Sequence, residues 1–131
     1  MTLVVDASAA IRSFQTAVGI ALLRDSDLVA PPLLWSEFRS AVHEALWRRA
    51  ITPRHAAMLR HRLRESSLRE RKHRRLDERA WEIAEQLGWA KTYDAEYVAL
   101  ADLLECRLVT ADARLRRGAD RLGFVVAPGE L

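Results

Sequence analysis

The sequence predicts an α/β fold: a central parallel sheet of about four to five strands flanked by helices. Short apolar runs alternate with longer segments in which apolar residues recur every three or four positions, the pattern of repeated β-α units. Right-handed crossovers between such units make a parallel sheet with helices on both faces the expected arrangement. With 131 residues, 50% hydrophobic and 30% charged, the chain reads as one domain over 1–131, able to bury a core.

The elements follow in order. Residues 2–5 are a buried strand built on Leu3-Val4-Val5. Residues 8–24 form one helix or two short ones, with Ile11, Phe14, Val18 and Leu22 on one face. Leu28-Val29-Ala30 is a short strand stopped by Pro31-Pro32. Residues 33–50 form an amphipathic helix whose stripe is Leu34, Phe38, Ala41, Val42, Ala45 and Leu46. Thr52 caps the next helix, with Pro53 at its first position, and Ala56, Leu59 and Leu63 keep its register to about Ser67. Asp77 is expected to cap a helix over 78–87 that Gly88 closes. Asp94 opens a helix to about Glu105, with Tyr97, Val98, Ala101 and Leu104 on its stripe. A strand over 107–110, a short helix over 113–121 and a strand over 124–127 complete the chain.

Several classes are excluded by what the sequence lacks. No apolar run approaches the roughly 18 residues of a membrane span, so no membrane partner is expected. The opening MTLVVDASAA has no basic stretch ahead of its apolar run and reads as a strand, not a signal peptide. Cys106 is the single cysteine, which removes intrachain disulfides and thiolate metal sites. A cytoplasmic protein is the reading these features favour. The formal charge is +3, and all but two of the 21 basic residues are arginine, the exceptions being Lys72 and Lys91. Arginine's planar fork suits phosphate.

Four acids stand out: Asp6, Glu37, Asp94 and Asp112. Asp6 ends the first apolar run, and Asp112 lies two residues beyond Leu108-Val109-Thr110. In a parallel sheet both project from the carboxyl edge, where open α/β folds bind their ligands. Aspartate at a helix start is also common as a cap, which is an alternative for Asp6, Asp94 and Asp112. Glu37 is harder to explain that way. It sits on or beside the buried stripe of its helix, three residues after Leu34, with no counter-charge in the preceding Trp35-Ser36. Like charges gathered at one point need protons or a cation, so convergence implies a metal site. Without these four, 21 basic residues face the other 14 acids, a formal +7 around an acidic hole. That distribution fits a nucleic-acid substrate approaching a metal.

The segments VVDASA, SEFRSAV, TYDAEYVALA and LVTADARL, in this order and spacing, resemble the four signature regions of PIN domains. More narrowly, they resemble the VapC-type toxins of bacterial toxin–antitoxin pairs. The resemblance covers the whole chain, and the last two segments are its most specific part. It implies a PIN-like fold and a metal-dependent endoribonuclease leaving 5′-phosphate and 3′-hydroxyl ends. It implies an RNA substrate, a cognate antitoxin and a homodimer. Asp6, Glu37, Asp94 and Asp112 match the family's acidic quartet, and Ser8 and Thr110 match supporting hydroxyl positions. An all-oxygen site favours Mg²⁺ or Mn²⁺ over zinc. Asp6 and Asp94 are assigned as direct ligands, with Glu37 and Asp112 as ligands through water or as water-positioning groups. The helix over 33–50, with Trp35, Phe38 and Trp47, is expected to flank the antitoxin's groove.

One stretch departs from the family. Arg69-Glu70-Arg71-Lys72-His73-Arg74-Arg75 stands where a partly apolar strand is usual. This puts a strand there in doubt and makes Arg71, Lys72, Arg74 and Arg75 candidates for RNA binding, against the alternative of a solvated loop. The four tryptophans, Trp35, Trp47, Trp81 and Trp89, read as core or interface packing ahead of base stacking. His43, His55, His61 and His73 have no metal spacing, and Glu96 and Asp102 read as solvated. A phosphoacceptor receiver domain is disfavoured because one acid, not two, follows the first strand and no lysine ends the last. A housekeeping nuclease of the same family, and an RNA-binding module that no longer cuts, are the remaining alternatives. The intact quartet argues against the latter.

Overall fold

Five short parallel strands form one sheet in the computed structural model of the chain, which describes residues 1–131. The chain runs β1 (Thr2–Val5), α1 (Ala7–Phe14), α2 (Ala17–Leu23), β2 (Asp27–Ala30), α3 (Leu33–Trp47) and α4 (Pro53–Glu65). It continues β3 (Arg69–Glu70), α5 (Leu76–Leu87), α6 (Tyr93–Leu103), β4 (Arg107–Val109), α7 (Ala113–Gly118) and β5 (Val125–Val126). The strand order is β3-β2-β1-β4-β5. β1 is therefore central, with Val4 opposite Val29 on one side and Leu108 on the other. The chain leaves β1 in one direction to build β2 and β3 and in the other to build β4 and β5. The crevice at the carboxyl ends of β1 and β4 is thus the topological switch point, the usual ligand site of such sheets.

The core explains this placement. Leu3, Val4 and Val5 are almost wholly buried, as are Val29, Leu108 and Val109, consistent with strands covered on both faces. α1, α3 and α4 pack on one another, while α6 packs on β1, β4 and α5. Six of the eleven residues of α6 are buried, three of them alanine, because the helix is enclosed between sheet and α5. Phe38 of α3 meets Phe14 of α1 edge to face, ring centroids 6.0 Å apart. Phe38 belongs to the core and cannot help line a partner's groove; of the three aromatics expected there, Trp47 alone is exposed, and Trp35 is half-buried.

Several local expectations change. The region 8–24 is two helices, broken at Gln15 and restarted by Thr16, whose hydroxyl caps Gly19 N–H. The break rotates Val18 and Leu22 out of the stripe, and both are exposed. Thr52 and Gly88 do cap as expected, Gly88 in the left-handed region at φ 71°. Asp77 does not cap: α5 starts one residue before it, so Asp77 sits in the first turn, where its charge still favours the helix dipole. The basic stretch forms a strand after all. Arg69 and Glu70 pair with Val29 and Ala30, and Arg71 N–H extends the ladder to Ala30 C=O at 2.8 Å. Charged side chains hide it from a hydropathy reading, because a two-residue edge strand buries neither side chain. Asp102 is not simply solvated: it accepts from Arg79 Nε at 2.7 Å and ties α6 to α5.

Close packing also constrains α2, which folds back on the end of α1. A Cβ on Gly19 would lie 2.5 Å from the Ser13 carbonyl oxygen and 2.9 Å from its Cα. Alanine in a helix normally gains about 1 kcal/mol over glycine. Here the obstacle is backbone that cannot rotate away, and overpacking of this kind costs about 1–3 kcal/mol. Gly19→Ala is expected to lower the thermal unfolding midpoint measured by circular dichroism; an unchanged or raised midpoint would contradict the close approach.

Candidate metal centre

Asp6 is the innermost acid. Its backbone N–H still belongs to the sheet, donating to Val109 C=O at 3.2 Å, while its side chain turns to start α1. Oδ1 accepts from Ser8 Oγ at 2.7 Å and Ala9 N–H at 2.8 Å; Oδ2 accepts from Thr110 Oγ1. The two hydroxyls are themselves aimed by backbone donors, Ala111 N–H to Ser8 and Asp112 N–H to Thr110, each at 3.0 Å. Ser8 and Thr110 thus brace Asp6 from both sides and tie the start of α1 to the end of β4.

The other three acids arrive on different elements. Glu37 stands on α3 and accepts from Tyr97 O–H of α6 at 2.5 Å. Asp94 lies in the first turn of α6 without capping it. Asp112 does cap, its Oδ1 accepting from Arg114 N–H at 2.9 Å. All four line one cleft of about 710 Å³, together with Ser8, Tyr97 and Arg12. A second depression of about 610 Å³ shares Glu37, Asp94 and Asp112 and leads on to Trp89, Lys91 and Arg114. The acids therefore stand where two depressions join into a groove.

Crowding leaves its mark on proton affinity. Burial pushes the Asp6 carboxyl up to about 6, against the pull of its bonds from Thr110, Ala9 and Ser8, and with a further push from Asp94. Asp94 is raised by its setting in the cleft and then by Asp112 and Glu37, with only Arg114 opposing, although one side of it is open to solvent. Its carboxylate receives no hydrogen bond from the protein. Burial and then the bond to Glu37 hold the Tyr97 hydroxyl far above the usual tyrosine range, so it remains a donor. No three His, Cys, Asp or Glu side chains are grouped closely enough to hold an ion as they are placed. The four acids share a cleft without yet forming a closed ligand shell.

Tyr97 and Arg12 escaped the sequence reading. Tyr97 looks like core from its stripe position, and 1% of it is exposed. The signal was the need of any buried hydroxyl for a partner, which here is Glu37. Arg12 lies six residues past Asp6 in a helix one turn and a half later, too ordinary in sequence to stand out. Arg71, Lys72, Arg74 and Arg75 do not line the acidic cleft. Arg71 is half-buried, and Lys72 and Arg74 line a separate cavity of about 390 Å³.

Residues 3–121 match the PIN domain family. A VapC ribonuclease of Mycobacterium bovis and ribonuclease VapC9 of Mycobacterium tuberculosis are each 60% identical to this chain over 40 residues. That match spans 30% of this chain and 29% of those relatives' length. PAE2754 from Pyrobaculum aerophilum superposes with a TM-score of 0.76 at 22% identity, over 99% of this chain and 91% of that one. A toxin–antitoxin complex from Klebsiella pneumoniae gives 0.69 at 17% identity, over 96% and 97%. At these identities the two structures share the fold with this chain.

A raised carboxyl binds its proton more tightly folded than unfolded, so it destabilises the fold as pH rises. For Asp6 this penalty is absent below the unfolded value of 3.8, grows from there to about 6 and is complete above it. The shift corresponds to about 3 kcal/mol. In metal-free protein, Asp6→Asn should therefore be more stable than wild type at pH 7.5 and equal to it near pH 4. Urea unfolding across that range checks this; a gap that does not grow with pH would show that burial does not strain Asp6.

Proposed function

We propose, from the premise that this chain belongs to the PIN domain family, that it is a Mg²⁺- or Mn²⁺-dependent endoribonuclease and the toxin of a type II toxin–antitoxin pair. The observation that carries the reading is the meeting of Asp6, Glu37, Asp94 and Asp112 in one cleft at the switch point of the sheet. The names of the partial relatives and of the Klebsiella complex support the ribonuclease and toxin assignments.

The donor set fits a hard divalent cation: oxygen throughout, with the Asp6 and Asp94 carboxyls both raised, chiefly by burial and then by neighbouring acids. Asp6 and Asp94 would hold the ion directly. Asp94 is free to swing inward, since nothing in the protein bonds its carboxylate. Glu37 and Asp112 each have one oxygen engaged, by Tyr97 and by the α7 backbone, and act through water. When bound, such an ion supplies Lewis acidity, making water a better nucleophile and offsetting charge that develops on the phosphate.

The chain's own groups supply the rest. Tyr97 fixes the Glu37 carboxylate, whose other oxygen is left to orient the attacking water. Asp112, rigid as a helix cap, orients water from the opposite wall. Arg12 and Arg114, one on each depression beside the acids, bind the phosphates that flank the scissile one. Trp47, 78% exposed at the end of α3, is the anchor we assign to the antitoxin, on a homodimer.

Asp94→Asn and Asp6→Asn should each lower Mn²⁺-dependent cleavage of RNA by at least about 100-fold while the protein stays folded. Full-rate cleavage by Asp94→Asn at limiting metal would refute the site. Growth arrest on expression, relieved by the product of an adjacent reading frame, tests the toxin assignment separately.

The basic stretch gives a further check. Lys72, Arg74 and Arg75 are exposed, whereas Arg71 is partly covered. Replacing the exposed three with Gln should lower the log–log salt slope of RNA binding by about 2, at about 0.7 per lost contact on a single strand. An unaltered slope would assign the stretch to bare solvent.

A further inference from the structure

We propose that the cavity between α5 and the start of α6 is a nucleobase site that seats a guanine of the RNA on the indole of Trp81. The inference rests on the ribonuclease reading and adds to it a base preference.

The cavity holds about 390 Å³ and lies outside the acidic cleft. Trp81 forms one wall although 64% of it is exposed, which is a poor use of an indole if packing were its only role. Its N–H is donated to Glu85 one turn further along α5, so the ring is held in place with a face available. A fixed aromatic face of this kind stacks any base.

The other walls favour one base. Asp77 and Glu96 both face the cavity, and neither is in an ion pair or side-chain hydrogen bond that would occupy it. A carboxylate accepts two parallel hydrogen bonds, and guanine alone among the four bases offers two neighbouring donors, N1–H and N2–H, on one edge. Adenine and cytosine offer one amino group, and uracil one ring N–H. Lys72 and Arg74 line the same cavity; Arg74 forms no ion pair and Lys72 only a 4.0 Å approach to Glu70, so both are free for the attached phosphates.

Position links this cavity to the acids. Thr92 and Glu96, in its wall, bracket Asp94 on the same segment, and Pro32, also in its wall, precedes the helix that carries Glu37. An RNA strand crossing the acids is thereby within reach of this pocket, which would set which bond is presented for cleavage.

The test uses protein labelled with ¹⁵N-tryptophan, in EDTA, titrated with the dinucleotides UpG, UpI, UpA and UpC. The Trp81 indole resonance is identified by its loss in Trp81→Phe. UpG should shift that resonance and bind about tenfold tighter than UpA or UpC, with inosine, which lacks the N2 amine, in between. Trp81→Ala should lose about tenfold in UpG affinity, and Trp81→Phe should keep most of it. The double variant Asp77→Asn, Glu96→Gln should erase the preference for UpG. A Trp81 resonance indifferent to all four, or equal affinity for UpG and UpC, overturns the inference. If wild type cuts RNA with Mn²⁺ while Trp81 stays silent, the base site falls and the ribonuclease stands. If Trp81 answers UpG and no RNA is cut, the ribonuclease reading falls alone.

Discussion

A carboxylate nearly shut off from water sits at the end of the central strand, and the surrounding structure is organised around keeping it there. An isolated buried charge is worth many kilocalories of penalty. Asp6 meets that penalty with three donors, two of them hydroxyls held in turn by backbone N–H groups of the β4–α7 turn. The donors pull its proton affinity down, but burial prevails and leaves the carboxyl at about 6. The protein thus holds a strained acid in a braced frame, and in the same cleft Asp94, whose carboxylate receives no hydrogen bond from the protein. With one carboxylate braced and the other unbonded, the pair suits the cation capture that we propose.

Topology explains why these four residues meet. Because β1 is central and the chain departs from it in both directions, the carboxyl ends of β1 and β4 leave a crevice that no crossover covers. Asp6 and Asp112 come from the two strand ends that border it. α3 and α6 bring Glu37 and Asp94 to its walls, and the bond between Tyr97 and Glu37 joins these two helices across it. The same placement puts the like charges together, so the site's electrostatic strain is a direct consequence of the fold's connectivity.

Much of this was legible in sequence because the acids break patterns. Asp6 ends an apolar run, and Glu37 intrudes on a stripe that should be apolar. The alternation of short and long apolar segments likewise gave the parallel sheet. What was hidden was hidden for physical reasons. β3 buries no side chain, so its strand character lies entirely in backbone pairing with β2. The break at Gln15 depends on how α2 folds against α1, and periodicity alone carried the stripe through it to Val18 and Leu22. Tyr97 and Phe38 occupy ordinary stripe positions. Packing adds that the Tyr97 hydroxyl reaches Glu37 and that the Phe38 ring, on the stripe as expected, meets Phe14 and leaves the partner's groove.

We propose that a cation relieves the strain on the buried Asp6 carboxyl, and proton release on metal binding would report it. Calorimetric titration of Mn²⁺ in buffers of differing ionisation enthalpy counts the protons displaced. At pH 5.5, where Asp6 is largely protonated, binding should release on the order of one proton, and near pH 8 essentially none. Saturable binding with no proton release at pH 5.5, or no saturable binding at either pH, would contradict the account.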